Sequence, residues 1–101
     1  MKLQELMHFE EKILLCEYHN KFVMPFTDYV ILDKLLSEVE NITDLYFQLM
    51  DEYKKSINKE NISNEEKIQK LNDFNQKLLS EEVAFNFKEY ESFITKYINE
   101  K

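Results

Sequence analysis

A chain of 101 residues, 44% of them apolar, has room for one hydrophobic core and carries too much large apolar surface to remain unfolded, which points to a single folded domain over residues 1–101. Gly is absent and Pro occurs once, which disfavours strand-rich folds and excludes the glycine-dependent phosphate cradles, because those need a backbone approach that a Cβ blocks. Twenty carboxylates stand against 13 basic residues, all of them Lys, so the net charge of −7 argues against nucleic-acid backbones and anionic membranes and favours a protein partner with a basic surface.

The first predicted helix runs from about Leu3 to Phe22 and is apolar on two sides. Leu6, Phe9, Ile13 and Cys16 follow one line, and Leu3, Met7, Leu14, Tyr18 and Phe22 follow another, with Glu10 and Glu17 between them. Such a helix needs two neighbours. The second line is therefore either buried within the chain or a self-association surface. The N-terminal stretch, with Glu5, Glu10 and Glu11, has no apolar signal core, and no run of about 18 apolar residues follows. The lone Cys16 allows no internal disulfide and fits a reducing, cytoplasmic location.

Pro25 marks the first boundary, and Thr27 is placed to cap a second helix extending from Asp28 to about Ile57. Along it Leu32, Leu35, Val39, Ile42, Tyr46, Leu49 and Tyr53 alternate in steps of three and four, an unbroken heptad line widened by Leu36, Met50 and Ile57. Asn58 to Ile62 reads as a polar connector. Ser63 and Glu66 then have the spacing of a capping box for a third helix from Asn64 to near Ser80, which carries Ile68, Leu71, Phe74, Leu78 and Leu79.

Val83, Phe85 and Phe87 alternate with smaller or polar residues, the pattern of one extended stretch laying aromatics on a bundle. Asn86 with Glu89 is placed to cap a fourth helix, Phe85 and Tyr90 to staple it, and Tyr90, Phe93, Ile94, Tyr97 and Ile98 to form its inner face to the end of the chain. The expected fold is all-α: a small four-helix, bundle-like domain with one long central helix and a short extended segment before the last helix.

No catalytic set emerges, and neither a metal nor a cofactor is expected. Glu5 and His8 have di-iron spacing but occur once, where such a site repeats the motif. Cys16 and His19 lack further zinc ligands, and as a nucleophile pair they lack an orienting third group. His8 and His19 lie roughly 16 Å apart by helical rise, too far to share one ion. Most of the six Tyr and eight Phe fall on the apolar lines; Phe26, Tyr29 and Phe47 fit them least and are candidate contact residues. The clearest surface feature is a line of Asp33, Glu40, Asp44 and Asp51, spaced by seven, four and seven, opposite the heptad and spanning about 27 Å. With seven carboxylates and one Lys between Asp28 and Glu52, this stretch calls for neutralisation from outside, by salt or by a docked basic partner.

Two stretches, Tyr29-Val-Ile-Leu-Asp-Lys-Leu-Leu-Ser-Glu-Val-Glu continuing to Met50-Asp-Glu-Tyr53, and Phe74-Asn-Gln-Lys-Leu-Leu-Ser-Glu-Glu-Val-Ala-Phe, resemble a family of small helical phage proteins of unknown function. The resemblance covers about two thirds of the chain and implies a phage origin, with action in the host cytoplasm; it brings no catalytic residues. The sequence is thus read as a non-catalytic, phage-encoded accessory protein that binds and modulates another protein, such as a host or defence factor. The alternatives are a virion structural or assembly component, and an oligomeric sponge for a small signalling nucleotide in which Lys12, Lys54, Lys55 or Lys88 would meet at subunit junctions.

Overall fold

The computed structural model describes residues 1–98, and the following statements concern these. The fold is all-α and bundle-like, built on four helices: α1 (Leu3–Asn20), α2 (Phe26–Asn58), α3 (Asn64–Ser80) and α4 (Glu91–Tyr97). No described residue has a positive φ, as suits a chain without Gly. The expectation that the last helix runs to the chain end includes residues 99–101, which lie outside the described residues.

α2 is the spine, and its two halves are covered differently. Along the first half, α1 and α4 pack on either flank and enclose a core of Leu6, Ile13, Cys16, Leu32, Leu35, Val39, Tyr90, Phe93 and Ile94. This is the head. Along the second half α3 returns beside α2, joined by the Tyr53–Phe74 ring stack at 4.2 Å and by a hydrogen bond from Tyr46 to Asn75, and its C-terminal end meets the N-terminal end of α1. Ile57 is buried there, whereas α3 itself has no buried residue. This is the arm, and it draws the molecule out to 55 × 24 × 21 Å.

Helix boundaries follow the chemistry at each turn, with some departures from expectation. α1 stops at Asn20, two residues early, because Pro25 forces the preceding chain out of helical geometry and the 21–24 turn folds back on the Asn20 carbonyl. Phe22 is therefore a turn residue. α2 begins at Phe26 with Pro25 at the N-cap; the Pro25 carbonyl accepts from the Asp28 and Tyr29 amides, so the Thr27 hydroxyl is not the cap. α3 spans the expected residues, and the Glu66 amide donates to the Ser63 hydroxyl at 3.2 Å. The reciprocal half of the box is replaced by a Ser63 hydroxyl to Glu66 carboxylate contact at 3.5 Å.

The heptad line does not run unbroken. Leu32, Leu35 and Val39 are buried, but the next buried position is Thr43, after which Tyr46, Met50, Tyr53 and Ile57 face inward and Leu49 is turned out to solvent. A straight helix at 3.6 residues per turn drifts about 20° per heptad, so the inward stripe of a 33-residue helix must slip one position somewhere. It slips after Tyr46: Ile42 still packs against the core, whereas the exposed Leu49 gives way to the half-buried Met50.

The extended segment after α3 behaves as the alternation predicts. Val83, Phe85 and Phe87 are half-buried against the core while Ala84 and Asn86 are exposed, and Phe9 meets Phe85 and Phe87 edge-on at 6.4 and 5.2 Å. Its start pairs with the N-terminus: the Leu3 amide donates to the Glu81 carbonyl at 2.9 Å and the Val83 amide to the Met1 carbonyl at 2.8 Å. The Asn86 capping box is not formed. A 3-10 turn at Phe87–Tyr90 intervenes and α4 begins only at Glu91, although Phe85 and Tyr90 do stack at 6.2 Å.

Candidate functional site

The α1–α2 seam is polar at two points. Tyr29 donates to Glu17 at 3.2 Å, and Thr43 donates to Glu10 at 3.2 Å. Tyr29 is thereby half-buried against the core and is no free contact residue, unlike Phe26 and Phe47, which are exposed. Glu10 has its pKa raised, by burial first and then by the like charges of Glu40, Asp44 and Glu11, against the opposing hydrogen bond from Thr43. The second helix thus places Glu40 and Asp44 within reach of an acidic residue on the first.

The four carboxylates of the acidic line do not share one environment. Asp33 and Asp44 are exposed, Glu40 is half-buried beside the seam, and Asp51 is ion-paired one turn on with Lys55 at 3.1 Å. Neutralisation at Asp51 comes from inside the helix, beyond the stretch with the single Lys; this corrects the expectation that it must all come from outside. Glu10, Glu11, Glu40 and Asp44 are gathered as like charges about the seam.

The second apolar line of α1 divides along its length. Leu3 is buried and Met7 half-buried, near the C-terminal end of α3 at Leu79, so Leu3 is taken up within the chain and unavailable to a second copy. Leu14, Tyr18 and Phe22 are 43%, 81% and 94% exposed and line a shallow groove with Glu17 and Lys21. Val23, Phe26 and Val30 extend the exposed apolar surface around the turn into α2. Val23 and Val30 belong to neither apolar line of the sequence and were not among its contact candidates. Leu14 lies between Glu10 and Glu17 on the same helical row, so the apolar groove and the acidic seam are adjoining surfaces.

Polar contacts at the opposite flank hold α4 and the turn before it against α2. Tyr97 donates to Asp28 at 2.6 Å and Lys96 to the same carboxylate oxygen at 3.1 Å, and together they lower the Asp28 pKa, Tyr97 contributing most. Lys34 reaches Glu89 at 2.7 Å. None of these partners was evident from local spacing, because 55 or more residues separate them.

The residues considered for chemistry are dispersed. Glu5 accepts from the Lys2 amide at 2.7 Å as a helix cap, and His8 faces Glu11 at 3.8 Å on the surface. Cys16 is buried, with Asn20 donating toward its Sγ at 3.9 Å, whereas the exposed His19 lies edge-on to Tyr18 at 5.3 Å. Among the described residues no three of His, Cys, Asp and Glu gather where they could hold a metal ion. Lys12 and Lys88 sit on the head and Lys54 and Lys55 on the arm. No described helix is long and apolar enough to cross a membrane. No protein-family model, curated protein or solved structure matches the chain.

Proposed function

We propose that this is a non-catalytic, phage-encoded accessory protein that docks on a partner protein through the α1–α2 end of its head and modulates that partner in the host cytoplasm. The observation that carries this reading is the surface of Leu14, Tyr18, Phe22, Val23, Phe26 and Val30, six large apolar side chains held out of the core at the ends of α1 and α2 and on the turn between them. Leaving such a cluster in water forgoes its transfer free energy, and contiguous exposed apolar patches on small proteins mark binding sites. Aromatic residues at its centre fit the anchors that dominate protein interfaces. The adjoining Glu10, Glu11, Glu40 and Asp44 give it an acidic border, which selects a partner whose apolar patch is rimmed by Lys or Arg.

The test is affinity capture from phage-infected host lysate with wild-type protein beside Phe22→Ser and Tyr18→Ser, followed by reconstitution of any complex from purified components. A stoichiometric partner held by wild type and lost by both variants, each still helical by circular dichroism, supports the reading. Recovery of the chain in purified virions would instead favour the assembly role. Equal capture by all three proteins would remove the turn surface from the function.

A further inference from the structure

We infer that the partner element seated on the head is a cationic amphipathic helix, lying in the groove between α1 and α2 that α4 leaves open and continuing the layer that α3 begins. The inference rests on the docking reading above and gives the partner's structure at that same surface.

The groove follows from two helical rows. On α1, Gln4, Met7, Glu11, Leu14 and Tyr18 are spaced by three and four and so share one face, which leads into Phe22 at the turn. On α2, Val30, Asp33, Ser37, Glu40 and Asp44 form a second row of the same spacing, none of them buried. Glu40 and Asp44 are close enough to act on Glu10 as like charges, which sets the two rows side by side. The Tyr29–Glu17 and Thr43–Glu10 hydrogen bonds close the seam between them. α4 is fixed to another side of α2, through Asp28 and Lys34.

The molecule itself shows what fits this groove. At the arm end a helix already sits against α1: the C-terminal end of α3 meets it, with Leu79 beside Gln4, Met7, His8 and Glu11. There α3 stops, at Ser80, and the chain leaves as the extended segment that pairs with the N-terminus. Beyond Glu11 the same face of α1 is exposed, and it lines the shallow groove of Leu14, Glu17, Tyr18, Lys21 and Phe22. The α2 row from Val30 to Asp44 is about 21 Å long, the length of a four-turn helix. Ridges at three- and four-residue spacing are the surface against which another helix packs.

Charge selects the chemistry of that helix. The two rows and the seam positions beside them carry Glu10, Glu11, Glu17, Asp33, Glu40 and Asp44, and against these carboxylates stands Lys21. The imbalance belongs to the head: residues 41–80, Asp44 included, carry seven carboxylates and six lysines, a net of −1 out of −7. A second copy brings the same carboxylates and meets like charge here, as an anionic membrane does. A helix with an apolar stripe and Lys or Arg on both flanks satisfies both parts of the surface. Its stripe covers Leu14, Tyr18, Phe22 and Val30, and its flanks neutralise the acidic rows.

The probe is a synthetic peptide of about four helical turns with Leu along one face and Lys on both flanks. It is compared with a scrambled peptide of the same composition and with the isomer carrying Glu in place of Lys. Calorimetry with the full chain should show the amphipathic peptide binding about tenfold tighter than the scrambled one, with a gain of helical circular dichroism, and no binding of the Glu peptide. Tyr18→Ser should weaken binding about tenfold and Glu40→Gln with Asp44→Asn several-fold, whereas Leu49→Ser on the arm should leave it unchanged. Tyr18 and Leu49 are 81% and 43% exposed, so neither change disturbs the core. Equal binding of the amphipathic and scrambled peptides overturns the inference, as does binding that Tyr18→Ser leaves intact, or none at several hundred micromolar. If a captured partner is nevertheless lost by Phe22→Ser and Tyr18→Ser, the docking reading stands and a loop or strand replaces the helix. A wild-type dimer dissolved by Tyr18→Ser overturns the inference by placing a second copy in the groove.

Discussion

Leu35 and Leu49 are two heptads apart on the same helix, yet the first is fully buried and the second is turned to solvent. Leu35→Ala should cost about 2–5 kcal/mol, the usual result of truncating a closely packed leucine, whereas Leu49→Ala should cost less than about 1 kcal/mol. Urea unfolding of the two variants checks the contrast, and equal losses would mean that the inward stripe does not leave the heptad line at Leu49. Periodicity made the inward residues legible as far as Tyr46, but it gave no measure of the drift that moves Leu49 outward. Burial of Thr43 at 1% exposure depends on the Glu10 carboxylate across the seam, a contact between helices that spacing within one helix does not encode. Glu10 carries a pH signature. Its pKa is raised on folding, so the folded state binds the extra proton and stability falls as pH rises from the ordinary carboxylate value through the folded one. Glu10→Gln keeps an oxygen to accept from Thr43 and removes the charge; it should stabilise the protein at pH 7 by roughly 0.2–0.5 kcal/mol, the scale of like-charge neighbours on helices. The gain should vanish below about pH 4, and thermal melts across that range follow it. Tyr90 offers a simpler case: its buried hydroxyl meets no acceptor at hydrogen-bond geometry, and burial together with the nearby Glu38 raises its pKa far above the ordinary phenol value. Tyr90→Phe should leave stability unchanged or raise it by up to about 1 kcal/mol.

At the scale of elements, α3 was the most legible, since a capping residue, a periodic face and a polar connector all agreed on its limits. Ser63→Ala should cost about 1 kcal/mol, the value of a serine N-cap, and the loss should appear as faster hydrogen exchange over Asn64–Leu71. α4 was the least legible. Its aromatic face was visible, but the seven-residue helix and its preceding 3-10 turn are held by Asp28 and Lys34 on α2, far away in the chain. The Asp28 pKa is lowered on folding, so this contact contributes stability above the ordinary aspartate value, and the contribution is lost as pH falls through the lower folded value. Asp28→Asn retains an acceptor for Tyr97 and gives up the charge facing Lys96. Amides of Glu91–Tyr97 should then exchange faster at pH 7, and the difference from wild type should close as the pH approaches 3. Identical exchange at pH 7 would place the anchoring of α4 entirely in Phe93 and Ile94.

At the scale of the whole molecule, charge and apolar surface are partitioned: an acidic head with an exposed aromatic turn, and a near-neutral arm. The acidic line was visible in the sequence as a regular spacing, but its division was not, because the charges that Glu40, Asp44 and Asp51 meet lie on another helix or one turn beyond the stretch surveyed. That division sharpens what neutralising them should do. Asp51 is already compensated by Lys55, an exposed pair of small energetic weight, so Asp51→Asn alone should leave both stability and binding unchanged. Glu40 and Asp44 repel Glu10, so Glu40→Gln with Asp44→Asn should hold or slightly raise stability. If the turn surface docks on a basic-rimmed partner, these two together with Asp33 steer the encounter. Combining Asp33→Asn, Glu40→Gln and Asp44→Asn should slow association several-fold at low salt and flatten its dependence on ionic strength, while dissociation, governed by the apolar anchors Tyr18 and Phe22, changes little. Stopped-flow association with the reconstituted partner between 20 mM and 500 mM salt measures the slope directly. A triple variant with the wild-type slope, or an Asp51→Asn variant that matches the triple one, would show that the partner does not sense the acidic border of the seam.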